Sequence, residues 1–336
     1  MKVVIDSGIP FIEGRLPENV NVVSMPASDI DKEAVKDADA LVVRTRTRCD
    51  RNLLDGSGVK LVVTATIGTD HIDIPWCEEN GIVVRSAPGC NAPGVAQYVF
   101  ASLFRLGFDP GLHTLGIVGY GNVGRVVADW ANKMGVKIKI SDAPRQAAGF
   151  KDIEYTELEK TLRDSDAVTL HVPLTKSGDF PTLGLIGEEQ VRQMKPSAVV
   201  VNSSRGGVVD ETALKRRIHE GKIKGVTDVW INEPFIDTEL ARISEIATPH
   251  IAGYSAEGKM RATRMALEAL HEVMGVDVDL KGLECTPLAG VEVTRDLILN
   301  SYDPRVDRDR LLNDIAGFES LRNRYSYRHE PLFFET

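Results

Sequence analysis

The sequence predicts an α/β fold of two doubly wound parallel-sheet domains with a small C-terminal region. Three observations predict it. Short apolar runs alternate with helical patterns along most of the chain, the order that builds a parallel sheet. The runs are near-continuously apolar, as strands covered on both faces must be. The length, 336 residues, accommodates about two hydrophobic cores.

The first alternation starts at the N-terminus. Residues 2–6, 21–25, 40–45, 60–64 and 82–85 read as strands, with a helical segment at 31–37. The breaker cluster Pro88-Gly89-Cys90-Asn91-Ala92-Pro93 marks a crossing, and a helical pattern follows over 94–106. Residues 1–92 therefore read as one domain. Strands are expected again at 115–118, 136–141, 167–172, 198–202, 225–229 and 245–248, with helices at 125–134, 156–163, 188–194 and 210–220. This second domain spans 93–254. The long helical pattern 255–274 returns to the first domain, which 255–280 completes. Residues 281–336 are denser in charge, with apolar pieces at 297–299, 311–312 and 332–334.

The second domain opens on T-L-G-I-V-G-Y-G-N-V-G, from Thr114 to Gly124. An apolar run ends at Gly119, and Gly121 and Gly124 complete G-x-G-x-x-G before a helix. The first glycine makes the turn, the second admits a pyrophosphate, and the third lets helix pack on strand. The helix end offers unpaired N–H groups and a positive dipole. The same spacing also occurs as a purely structural turn. Here the next strand ends at Asp142, 18 residues past Gly124, near the roughly 20 expected of a ribose-binding carboxylate. That makes a Rossmann-like dinucleotide site, with NAD preferred, the expected function of the stretch.

Composition narrows the partners. A net charge of −9 argues against nucleic acid and anionic membrane. No apolar run approaches the ~18 residues of a membrane span. Cys49, Cys77, Cys90 and Cys285 are scattered without a C-x-x-C pair, which favours reduced thiols over a disulfide or zinc framework. Residues 1–6 read as a strand rather than a secretory leader. The expected compartment is the cytoplasm, and no metal is expected.

Three polar residues follow strands of the second domain: Arg205 in N-S-S-R-G-G, Glu233 in D-V-W-I-N-E-P and His250 in T-P-H-I-A-G-Y. Strand carboxyl ends are where a nicotinamide lies. Oxidation of a 2-hydroxy acid needs a base for the hydroxyl proton, and His serves near neutral pH. A carboxylate orients the imidazole, and Arg grips the substrate carboxylate with paired hydrogen bonds. Singly, each residue fits a surface ion pair, a cap or a buried histidine; together they point to catalysis. In the first domain, Arg44-Thr45-Arg46-Thr47-Arg48 follows a strand. The triplet suits a phosphate or carboxylate and equally suits a solvated basic edge. Side-chain alternation prevents Arg44, Thr45 and Arg46 from all pointing one way, so a break in regularity is expected near Thr45. Thr66 lies in a second strand-end loop, and His71 beyond it reads as a turn-capping or packing residue.

The motifs G-Y-G-N-V-G, N-S-S-R-G-G-V-V-D-E, D-V-W-I-N-E-P and T-P-H-I-A-G-Y-S resemble those of the D-isomer-specific 2-hydroxyacid dehydrogenases. More narrowly, T-A-T-I-G-T-D-H-I-D, P-G-C-N-A and H-I-A-G-Y-S-A-E-G-K are similar to the erythronate-4-phosphate dehydrogenase branch of that family. The resemblance implies Arg205, Glu233 and His250 as the catalytic set. It implies NAD contacts at Asn122, Val123, Asp142, near Val172, at Ser203 with its neighbour Ser204, at Asp228 and at Gly253. Substrate contacts fall on Thr45, Thr66 and Tyr254, flanked by Arg44 and Arg46. The implied reaction is NAD-dependent oxidation of 4-phospho-D-erythronate to 2-oxo-3-hydroxy-4-phosphobutanoate, on a route to pyridoxal phosphate (vitamin B6). Two alternatives stay open: a dehydrogenase for another small 2-hydroxy acid such as 3-phosphoglycerate, or an NAD-sensing corepressor-like scaffold. The family also implies a homodimer held by the C-terminal region, which is shorter here than is usual. Light scattering at micromolar concentration reads that state directly.

Overall fold

The computed structural model describes residues 1–333; position 334 of the last apolar piece lies outside them. The chain divides into two compact units. One comprises Met1–Asn91 and Ala256–Thr286; the other comprises Ala92–Ser255 and the segment from Pro287 onward.

The first unit holds a five-stranded parallel sheet: β1 (Lys2–Asp6), β2 (Asn21–Met25), β3 (Ala40–Val43), β4 (Leu61–Thr64) and β5 (Val83–Arg85), in the order β2-β1-β3-β4-β5. Its strands alternate between two cores, since successive side chains leave opposite faces. Val3, Ile5, Ala40, Val42, Leu61 and Val63 face one way, against Ala266, Leu267 and Leu270 of the helix Ala256–Met274. Val4, Leu41, Val43 and Val62 face the other, against Val35, Leu53, Leu54 and Cys77. Strand order reverses between β1 and β3, so the loops after these strands mark the ligand crevice of this sheet.

The second unit holds a six-stranded parallel sheet. Its strands are β6 (Thr114–Val118), β7 (Lys137–Ser141), β8 (Ala167–Leu170), β9 (Ala198–Asn202), β10 (Ile223–Thr227) and β11 (Ile246–Ala247), in the order β11-β10-β9-β8-β6-β7. Leu115, Ile117, Val199, Val201 and Val226 pack against the buried helix Ala92–Arg105 and the helix Asn122–Lys133. Val118, Val168, Leu170 and Val200 pack on the opposite core with Leu162, Val191, Leu214 and Leu240. The reversal in order falls between β6 and β8.

The C-terminal segment departs from a separate appended body. From Pro287 it belongs to the second unit. Val293, Ile298 and Tyr302 join one core of that unit, and Leu311 and Phe318 the other. Its helices, Arg295–Ser301, Pro304–Asn313 and Phe318–Asn323, are short, and the first two start on Thr294 and Asp303 caps. Among the described residues no helix is long and apolar enough to cross a membrane.

Candidate active site

The glycine loop sits at the β6/β8 reversal, and its three glycines do different work. Gly119 has φ +93°, and a Cβ there would lie 2.5 Å from the His171 carbonyl oxygen, so the loops after β6 and β8 touch. A Cβ on Gly124 would lie 2.0 Å from the Gly119 oxygen and 3.5 Å from Ile117, where helix meets strand. A Cβ on Gly121 meets nothing within 4 Å. The middle glycine thus faces an opening beside the N-terminus of Asn122–Lys133, and Asn122 and Val123 form its first turn.

Asp142 caps the helix Ala143–Ala147 by accepting the Arg145 N–H at 3.0 Å, and its other oxygen accepts the Tyr120 N–H at 2.7 Å. The carboxylate is therefore fixed against the glycine loop. Arg145, the cation nearest in sequence, is held elsewhere: Nε donates to Tyr155 at 3.0 Å and Nη2 to Asp152 at 2.9 Å. Val172 packs where Gly119 lacks a side chain. The Ser203 hydroxyl is buried with no hydrogen-bond partner among the described residues, whereas Ser204 Oγ donates to Asn202 at 2.9 Å and locks its own loop. An opening at a helix N-terminus, a fixed carboxylate and an orphaned hydroxyl fit a dinucleotide. Such an acid beside a ribose repels a 2′-phosphate, since like-charge juxtaposition costs several kcal/mol. The expected result is a kcat/KM for NAD at least about 10²-fold above that for NADP; equal rates with the two would refute it.

The reacting centre is built from the loops after β9, β10 and β11. A Cβ on Gly206 would lie 2.0 Å from the Trp230 carbonyl oxygen. Only glycine lets the Arg205 loop rest on the β10 loop. Arg205 donates from Nη1 to the Ser204 carbonyl at 2.8 Å, and Asn202 Nδ2 donates to the Arg205 carbonyl at 3.1 Å. Trp230 ties the other two loops: its N–H donates to Glu233 Oε1 at 3.0 Å and its indole Nε1 to the Thr248 carbonyl at 3.0 Å. His250, in left-handed backbone at φ +57°, brings Nδ1 to 2.8 Å from Glu233 Oε2 and 3.1 Å from Oε1.

Burial alone would raise the Glu233 carboxyl. The hydrogen bond and charge of His250, the Trp230 N–H and the Arg322 guanidinium outweigh it and hold the carboxyl below its ordinary value. An ionised carboxylate only accepts, so His250 Nδ1 carries a proton, and in the neutral ring the lone pair lies on Nε2. This pair is suited to taking a proton from a substrate hydroxyl.

Asp228 is held by the chain around it. It is 1% exposed. Oδ1 accepts from Thr248 Oγ1 at 2.7 Å and the Ile251 N–H at 2.7 Å, and Oδ2 accepts the Ala252 N–H at 3.0 Å. Tyr98, fully buried, bonds Thr248 at 2.8 Å. Asp228 therefore pins the backbone that carries His250 and Gly253. Sequence reasoning passed over Thr248, Tyr98 and two C-terminal arginines. Arg322 Nε donates to the Tyr254 hydroxyl at 3.1 Å. Arg328 donates to the carbonyls of Ile251, Ala252 and Tyr254. The only sequence signal for them is the Arg-rich run from 322 to 328.

In the first unit, β3 ends at Val43 and residues 45–46 form a turn, with the Thr47 N–H donating to the Arg44 carbonyl at 3.4 Å. Thr45 and Arg46 are exposed there, at the β1/β3 reversal. Arg44 is committed differently: Nε and Nη2 form a fork on Asp6 at 2.8 and 3.0 Å, and Asp6 is fully buried. Gly8 leaves room for that guanidinium, which a Cβ would meet at 1.9 Å. The Thr66 hydroxyl lies 2.6 Å from that of Thr64 and donates to the Gly68 carbonyl at 3.3 Å. His71 is held neutral, its pKa lowered by burial to about 4.

Comparison with known proteins places these features. Residues 101–252 match the model of the D-isomer specific 2-hydroxyacid dehydrogenase NAD binding domain. The chain is 43% identical to an erythronate-4-phosphate dehydrogenase of Bacteroides fragilis, over 98% of this chain and 97% of the relative. It is 38% identical to the enzyme of that name from Escherichia coli, over 98% and 92%. Among solved structures, a 3-phosphoglycerate dehydrogenase of Entamoeba histolytica with bound NAD+ superposes with a TM-score of 0.66 at 28% identity, covering 84% of this chain and 97% of that one. A D-lactate dehydrogenase of Aquifex aeolicus, complexed with NAD and lactic acid, gives 0.65 at 25% identity, over 82% and 96%. The chain belongs to the D-isomer-specific 2-hydroxyacid dehydrogenase family, in the group formed by the erythronate-4-phosphate dehydrogenases.

Proposed function

We propose that this protein oxidises 4-phospho-D-erythronate at its 2-hydroxyl to 2-oxo-3-hydroxy-4-phosphobutanoate, with NAD as the oxidant. The observation that carries this reading is the bonded His250–Glu233 pair at the strand ends of a dinucleotide-binding sheet. Bound NAD supplies the hydride acceptor. His250 Nε2 takes the hydroxyl proton as the C2–H bond breaks and the carbonyl forms, and Glu233 stabilises the resulting imidazolium. Arg205 holds the substrate carboxylate. Gly119, Gly121, Asn122, Val123, Gly124, Asp142, Val172, Ser203 and Gly253 line the cofactor site; Ser204 and Asp228 hold its loops.

The phosphate is assigned to the first unit, to Arg46, Thr45 and Thr66, with Arg44 holding the turn through Asp6. Charge-assisted bonds there distinguish a phosphate from a terminal hydroxyl. Arg46→Ala is expected to lower kcat/KM for 4-phospho-D-erythronate by roughly 10-fold or more, as loss of ~1.5–3 kcal/mol of charged hydrogen bonding implies, and to leave unphosphorylated D-erythronate little changed. Arg44→Ala should instead lower the melting temperature, because it leaves Asp6 buried and unpaired. Equal losses on both substrates in Arg46→Ala would place the phosphate elsewhere. The function itself is tested by NADH formation over a panel of 2-hydroxy acids. The highest kcat/KM is expected for 4-phospho-D-erythronate. Preference for 3-phosphoglycerate overturns the substrate, and NAD binding without any turnover favours the scaffold.

A further inference from the structure

The Glu233 oxygen that accepts from His250 also faces a second cation. Arg322 Nη1 lies 3.8 Å from Oε2, and the Arg322 side chain is 13% exposed. It stands on the helix Phe318–Asn323, whose first residue is fully buried in the core that includes Trp230 and Ile236. Packing therefore fixes the guanidinium between the carboxylate and the Tyr254 hydroxyl, to which Nε donates. One carboxylate serves two cations.

Other charges surround the group. Glu211, before the β10 loop, accepts the Ile231 N–H and is raised by burial and by the charges of Asp237 and Glu233. Asp228 lies buried behind His250, with an electrostatic interaction between them. Glu319 acts on Arg322 from its own helix. None of these acids intervenes in the bond from His250 to Glu233, and the Arg322 charge acts on Glu233 together with the imidazole; Arg205 stands on the neighbouring loop of the same site.

We propose that Arg322 is a positioning residue of the reaction, acting through Glu233 to keep His250 in its proton-accepting form and through Tyr254 to fix that hydroxyl beside it. Protonating His250 adds a positive charge next to an existing one. The Arg322 charge offsets part of the Glu233 potential at the ring, so the imidazolium is less favoured than it would be beside the carboxylate alone. Removing Arg322 therefore makes the imidazole hold its proton to higher pH. This inference rests on the oxidation proposed above, in which neutral His250 is the base.

The test is the pH profile of kcat/KM for oxidation in wild type, Arg322→Gln, Arg322→Met and Arg322→Lys. The two uncharged variants should move the acid limb up by roughly 0.5–2 pH units, as a cation about 6–7 Å from the imidazole implies at effective dielectric constants of about 20–80. Arg322→Lys should keep the limb near the wild-type position. The midpoint is also read without turnover, by NMR titration of the His250 imidazole in each variant with NAD bound. That second reading separates the two claims: if no 2-hydroxy acid is oxidised, the functional reading fails while the titration still reports on Arg322. A wild-type midpoint in a folded uncharged variant overturns the proposal. So does a lysine variant that shifts as far as glutamine, because charge would then not be the cause.

Discussion

Replacing His250 with alanine is expected to lower kcat for oxidation by about 10²–10⁴-fold, the usual worth of a general base, with NAD affinity little changed. The neighbouring carboxylate is poorly placed to substitute: Glu233 is turned onto the imidazole and the Trp230 N–H. Glu233→Gln should act differently. An amide keeps a hydrogen-bond acceptor for Nδ1 but removes the charge that favours imidazolium. The base form then persists to lower pH, so the acid limb moves down, opposite to the shift expected for Arg322→Gln. The Glu233 carboxyl is depressed in the folded protein. Its contribution to stability is thus present above the unfolded-state value, about 4.3, and is lost as pH falls through the lower folded value. Stopped-flow or steady-state oxidation across pH checks both variants, and a His250→Ala enzyme with wild-type kcat would require a different base.

The sequence made the strand–glycine–helix unit legible because its chemistry is local. Gly119 needs a positive φ, Gly124 needs contact with the strand before it, and both demands fall within six residues. The three site loops were legible because polar residues interrupt apolar strands at their carboxyl ends. Strand ends were less so. β3 stops at Val43, two residues before the apolar pattern suggests, because Arg44 turns back to a buried partner 38 positions away. β11 shrinks to Ile246–Ala247 for a similar reason: Thr248 is drawn to Asp228. The hydrogen bonds of Asp228 to the loop of His250, and the packing of the C-terminal segment, were not legible at all. An acid after a strand looks the same whether it meets a ribose or a backbone N–H. The segment from Pro287 has weak periodicity, and its order comes from single long-range contacts, which local patterns do not encode.

Arg328→Met is expected to lose both stability and turnover. Arg328 is only 9% exposed. Nε donates to Gln97 Oε1 at 2.9 Å, Nη1 to the carbonyls of Ile251 at 3.0 Å and Tyr254 at 3.2 Å, and Nη2 to those of Gly94 at 3.0 Å and Ala252. Its charge is balanced at one remove: Nη1 reaches the Tyr325 hydroxyl at 3.3 Å, which donates to buried Asp307 at 2.9 Å. The guanidinium also lies 4.3 Å from the centre of the Tyr302 ring, whose hydroxyl bonds the same carboxylate at 2.9 Å. Methionine matches the stem but supplies no donor, so the carbonyls lose these bonds, at about 1–3 kcal/mol each where no other donor serves them; the Ile251 carbonyl keeps the Tyr254 N–H at 2.8 Å. With partial relaxation the net loss is on the order of 3–5 kcal/mol, comparable to breaking a buried charge network, or roughly 6–20 °C in melting temperature. The loop at stake is the one that holds His250 at positive φ, a conformation that persists only while its surroundings impose it. Once Ile251, Ala252 and Tyr254 lose their anchor, the imidazole is released from its fixed place beside Glu233. Turnover should therefore fall at temperatures where the variant is still folded, by 10-fold or more if displacement reaches about 1 Å. Calorimetry together with steady-state kinetics below the melting transition separates the two effects. An Arg328→Met protein with unchanged stability and kcat would show that the C-terminal segment does not support the catalytic loop.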